Sequence, residues 1–73
     1  MKKYRFDLQR STINEYNELA HIIHAWSLAD AVQKFIRKHG LEAPAYWDEP
    51  SYEKHIEMVF KNDRGSVWYS ISW

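Results

Sequence analysis

Residues 20–30, AHIIHAWSLAD, decide how the chain folds, because two periodicities compete there. On a helix, His21 and His24 share one face at i,i+3 spacing and could hold a metal ion together; on a strand they point to opposite faces. The preceding residues fit either state. Thr12 and Glu15 have the form of a capping box, and Ile13, Tyr16, Leu19 or Ala20, Ile23 and Trp26 keep a helical spacing. The same stretch also alternates, with Leu19, His21, Ile23 and Ala25 on one side and Ala20, Ile22, His24 and Trp26 on the other. The residues after Trp26 favour the strand. Ser27 and Asp30 form an S-x-x-D capping pair that starts a helix at Ser27, and an earlier helix would run into it almost without a linker. A strand returning beside the first, after a loop around Ile13 to Asn17, avoids that collision.

From Ser27 the helical pattern is plain. Leu28, Ala31, Val32, Phe35, Ile36 and His39 recur at three- and four-residue steps, leaving Gln33, Lys34, Arg37 and Lys38 outside. Gly40 stands where a left-handed residue closes a helix, and the basic last turn suits the helix dipole. Before the disputed stretch, Tyr4, Phe6 and Leu8 alternate with Lys3, Arg5, Asp7 and Gln9, the period of a strand with one buried face. At the other end, Ile56, Met58 and Phe60 share one side of a strand. Val67, Tyr69, Ile71 and Trp73 share a side of the next, opposite Ser66, Trp68, Ser70 and Ser72. NDRG, residues 62–65, is a tight-turn signature, so residues 54–73 form a hairpin. The expectation is a single small α+β domain over 1–73, ββαββ, its four-stranded, antiparallel-rich sheet carrying one helix (about 28–39) on one face.

Composition narrows the function. A chain of 73 residues holds one modest core, and with no cysteine it must be held by packing, by histidine-bound metal or by self-association; four Trp, five Tyr and three Phe make packing sufficient. Ten basic residues balance ten acidic ones, so there is no uniform positive field for phosphate backbones; nucleic-acid binding is disfavoured. No stretch approaches the length of a bilayer span, and MKKYRFDLQR has no apolar run behind its charges. A complete cytoplasmic gene product without membrane attachment is the expectation.

YRFDLQR, followed by an extended segment ending AWSLADAVQKF, resembles a pattern of small phage and mobile-element proteins, in which a long hairpin leads through A-x-S-x-x-[DE]-A into a single helix. With KNDRGSVWYSISW behind it, the order of elements is similar to that of some small α+β anti-CRISPR proteins. Ala25, Ser27, Asp30 and Ala31 carry the motif; they are a cap and small packing residues, so the resemblance transfers no active site. It implies a non-catalytic inhibitor that occupies a surface of a larger host protein complex, such as a CRISPR effector.

The chemistry agrees with a non-enzyme. A metal site needs three well-placed ligands, and strand-borne His21 and His24 would each have to recruit His39 or His55 separately, so no metal and no cofactor is expected. No serine is flanked by glycines, both glycines have structural uses, and adjacent Asp48 and Glu49 in a Pro-bounded loop cannot straddle a substrate. Surface aromatics are the better candidates. One helix covers only one face of a sheet, and Trp68, on the serine side of its strand, should lie on the other, near Val59 and with His24 and Trp26 on a neighbouring strand. Interface hot spots are enriched in Trp, Tyr and Arg. In the segment 41–53, Tyr46, Trp47 and Tyr52 either fold back as a lid or meet a partner. Lys34, Arg37 and Lys38 form a third candidate, an outer helix face suited to acidic surfaces or phosphates. Two rivals remain: a single-stranded nucleic-acid binder, and a homodimer formed through the open sheet face or an exposed edge strand ending in SISW.

Overall fold

The computed structural model describes residues 1–16, 19–44 and 54–73. Its elements run β1 (Lys2–Ser11), β2 (Ala20–Ala25), α1 (Leu28–His39), β3 (His55–Asn62) and β4 (Gly65–Ser72). The contested stretch is a strand, and the order ββαββ holds. Ile23 and Ala25 of β2 are buried while Ala20, Ile22 and His24 are exposed, as the alternation requires. The helix starts where the cap places it. Ser27 is extended (φ −151°, ψ 169°) and its Oγ accepts from the Asp30 amide at 3.1 Å, while the Asp30 carboxylate reaches back to accept from the Trp26 amide at 3.0 Å. Gly40 closes it in the left-handed conformation, φ 64°.

The four strands form one antiparallel sheet in the order β2-β1-β4-β3. The last strand is therefore interior. An exposed edge ending in SISW does not exist, because β4 is hydrogen-bonded to β1 on one side and β3 on the other; the edges are β2 and β3. The crossover through α1 carries β3 to the far side of the sheet, leaving the central gap beside β1 for β4. A bulge interrupts β1 against β4, where the pairing passes from Leu8↔Tyr69 to Arg10↔Trp68.

The core lies between α1 and one face of the sheet. Phe35 is its centre, stacked on Phe6 at 4.3 Å and meeting Tyr69 edge-on at 4.7 Å and Phe60 at 5.2 Å, so a single helix side chain ties together β1, β4 and β3. Phe6, Phe35, Phe60, Val67, Tyr69 and Ile71 are fully buried, each contributing on the order of 1.5–3 kcal/mol by removal from water. Ile13 and Leu41, from the connections, seal the ends. No helix among the described residues is long and apolar enough to cross a membrane.

Candidate interaction surfaces

The helix-free face follows from the register. Ile22, Arg5, Ser72 and His55 form one row across the four strands, and Ala20, Asp7, Ser70 and Glu57 the next. Beyond them Arg10, Trp68 and Val59 lie side by side, then Ser66 and Lys61. Much of this polar surface is internally paired: Arg5 Nε donates to both Asp7 oxygens at 3.0 Å, and His55 Nε2 lies 2.6 Å from Ser70 Oγ. Trp68 is different. The Arg10 guanidinium lies over its ring, 4.2 Å from the centroid, and Val59, 37% exposed, stands beside it. A shallow groove of about 210 Å³, lined by Glu42, Ala43, Pro44, Val59 and Lys61, adjoins this patch, held by the Glu42 amide donating to the Lys61 carbonyl at 2.7 Å.

Arg10 has no place in a strict alternation on this face. Counted from Tyr4, Phe6 and Leu8 it belongs to the apolar side; the bulge after Leu8 turns it outward onto Trp68. A cation at an apolar position of the pattern is the sequence signal for such a bulge.

The structure separates the aromatic candidates. His24 does share the face with Trp68, but it pairs with Lys3, whereas Trp68 pairs with Arg10 two strands away. At ~3.3 Å per residue that offset along β1 alone is roughly 20 Å. Trp26 lies past the end of β2 and is 72% exposed. Tyr46, Trp47 and Tyr52 fall outside the described residues.

His24 and Trp26 instead join the helix cations. Lys34 Nζ donates to the His24 carbonyl at 2.9 Å and lies 3.4 Å from the Asp30 carboxylate, so it is partly committed rather than a simple outer-face charge. Arg37 and Lys38, one turn on, are exposed. The Trp26 amide, followed by the Lys34 and Arg37 charges, holds the Asp30 carboxyl below the usual aspartate range against an opposing effect of burial. This second group therefore surrounds the β2 edge, where Ile22 and Leu19 are also exposed.

The histidines divide by face. His21, on the core side, packs against His39 of α1 at 4.5 Å between ring centroids, both beside Phe35; His24 and His55 are on the opposite face, on the two outer strands. Among the described residues no group of three or more His, Asp or Glu is placed to hold a metal ion. Comparison with known proteins returned no matching family model, no similar curated protein and no similar solved structure.

Proposed function

We propose that this protein is a non-catalytic protein–protein interaction module that docks through the helix-free face around Trp68, Arg10 and Val59. One observation carries the reading: the Arg10 guanidinium lies over the Trp68 ring, 4.2 Å from its centroid, on the helix-free face, next to an exposed Val and a groove. Trp and Arg are the side chains that most often dominate binding energy, and a stacked pair has surrendered part of its freedom before the partner arrives. The module acts sterically, by covering part of a larger surface. The resemblance in element order to small phage-type inhibitors makes a host nuclease complex the first target to try.

Single-stranded nucleic acid is the weaker reading. At the Trp68 face base stacking would have to displace Arg10, which already lies over the ring, and the zero net charge supplies no general attraction to a backbone.

The test is affinity capture of the tagged protein and its Trp68→Ala variant from bacterial lysate carrying nuclease-based defence complexes, with and without added nuclease. Thermal melting establishes that the variant folds. A defined protein partner, lost in the folded variant and unaffected by nuclease, supports the reading. Recovery of nucleic acid alone, or of a partner that the variant retains, overturns it.

A further inference from the structure

The edge of β2 is exposed in a way the other edge is not. The Leu8 amide donates to the Leu19 carbonyl at 2.7 Å, which fixes the phase of the β1–β2 ladder: residues 19, 21, 23 and 25 turn their backbone groups toward β1. Ala20, Ile22 and His24 therefore point their N–H and C=O groups away from the sheet. The Lys34 bond to the His24 carbonyl agrees with that phase, since a side chain from α1 reaches it around the edge. Edge strands are commonly blunted by charged residues or proline, and AHIIHA contains no Lys, Arg, Asp, Glu or Pro. β3, in contrast, carries Glu57 and Lys61, and Glu42 already pairs with one end of it.

Charge says what this edge fits. Although the chain is neutral, Lys3 and Arg5 flank β2 from one side, and Lys34, Arg37 and Lys38 stand on the helix that crosses the other. Asp7 pairs with Arg5 and Asp30 with Lys34, so these five cations and two anions leave an excess of positive charge carried by Lys3, Arg37 and Lys38. A shallow groove of about 300 Å³ lined by Arg5, Ala20, His21 and Ile22 lies against β2, with Leu19 (66% exposed) and Trp26 (72% exposed) beyond the strand's two ends.

We propose that the outer edge of β2 receives an extended acidic segment of a partner protein as a fifth strand of the sheet. Its backbone pairs with Ala20, Ile22 and His24, its small or apolar side chains lie along Ile22, and its carboxylates meet the cations on either side. The His24 carbonyl has a second lone pair, so it can accept from the segment while Lys34 remains in place. A second copy of the chain fits less well: pairing β2 with β2 about a two-fold axis normal to the sheet puts both helices on one side and turns their Lys34, Arg37 and Lys38 toward each other. This surface is separate from the Trp68 patch, and the proposal does not depend on it.

The probe is a capped peptide of alternating Thr and Glu, titrated into the isotope-labelled full chain, with amide shifts and amide exchange as readouts. The Ala20, Ile22 and His24 amides should shift and slow their exchange, with binding weakening several-fold as salt is raised. Exchanging Arg37→Glu together with Lys38→Glu should weaken binding roughly tenfold, since both are exposed and only their charge is changed. Ile22→Pro, which removes one outward donor and leaves the β1 ladder intact, should weaken it comparably. Trp68→Ala should leave it unchanged, keeping this result distinct from that of the first docking reading. The proposal is overturned by an absence of shifts at millimolar peptide, by shifts centred on Trp68, or by equal binding of a Thr and Lys peptide. It is equally overturned if the same three amides are protected without peptide in a concentration-dependent dimer, which would assign the edge to a second copy.

Discussion

Two glycines with positive φ separate the cost of backbone conformation from the cost of crowding. Gly40 (φ 64°) has no heavy atom within 4 Å of the position a Cβ would take, so Gly40→Ala meets only the left-handed penalty, about 1–2 kcal/mol. Gly65 (φ 152°) is enclosed: an added Cβ would lie 2.6 Å from Thr12 Oγ1 and 3.2 Å from Ile13 Cγ1. Thr12 cannot simply turn aside, because its Oγ1 accepts from the Ser66 amide at 2.9 Å and its own amide donates to the Ser66 carbonyl at 2.9 Å, tying the end of β1 to the start of β4. Backbone strain of ~1–3 kcal/mol and a disturbed hydrogen bond worth ~1 kcal/mol give an expected loss of about 3 kcal/mol for Gly65→Ala. A domain of this size has total stability of only about 4–11 kcal/mol. Urea unfolding reads the difference: with a slope of ~1 kcal/mol/M, the midpoint should fall by about 3 M for Gly65→Ala and by about 1–2 M for Gly40→Ala. In a Thr12→Ala background the Gly65→Ala loss should shrink, since the nearest atom is gone. Equal losses at the two glycines, or a Gly65→Ala loss unchanged by removing Thr12 Oγ1, would refute the crowding argument.

Phe35→Ala removes the ring that, among the described residues, touches Phe6, Phe60 and Tyr69 together and should cost about 3–5 kcal/mol by urea unfolding, a large part of the stability of the domain. Phe35→Leu should cost less than half as much; a larger loss for Leu than for Ala would contradict the volume argument. Asp30 gives a pH dependence of definite sign. Its folded pKa is lowered, so the stability it contributes is present above the unfolded aspartate value of about 4 and is lost as the pH falls through the lower folded value. Asp30→Asn should therefore reduce the acid dependence of the melting temperature below about pH 4, and an unaltered profile would count against the Trp26 and Lys34 contacts as its cause.

The local elements were legible because their determinants are local. Ser27, Asp30 and Gly40 mark both ends of α1 within a few residues, and NDRG joins two alternating runs directly. The strand at 20–25 was legible only by elimination, through the cap that leaves no room for a preceding helix. What the chain does not display locally is pairing between distant strands. Nothing in SVWYSISW distinguishes a central strand from an edge, because both faces keep the same alternation; its position is set by where the helix deposits β3. The bulge at Gln9 and Arg10 had the same effect on the candidate surface. It converts a residue on the apolar side of the pattern into the partner of Trp68, while His24 and Trp26, placed beside Trp68 by parity, are removed from it by strand order and by the end of β2.

The pairing of β1 with β4 has a consequence for the order in which this protein can be made. During synthesis at about 5–20 residues per second, β1 and β2 emerge first and α1 brings Phe35 onto Phe6, yet the strand that pairs with the inner edge of β1 is β4, made after β3. The inner edge of β1 therefore stays unpaired until β4, with Tyr69 and Ile71, has left the ribosome. The β3–β4 hairpin, whose turn spans only Asp63 and Arg64, can close at once and be captured by β1 as a unit. Closing the centre of the sheet is slow for a domain of this size because its defining contact joins two strands far apart in sequence.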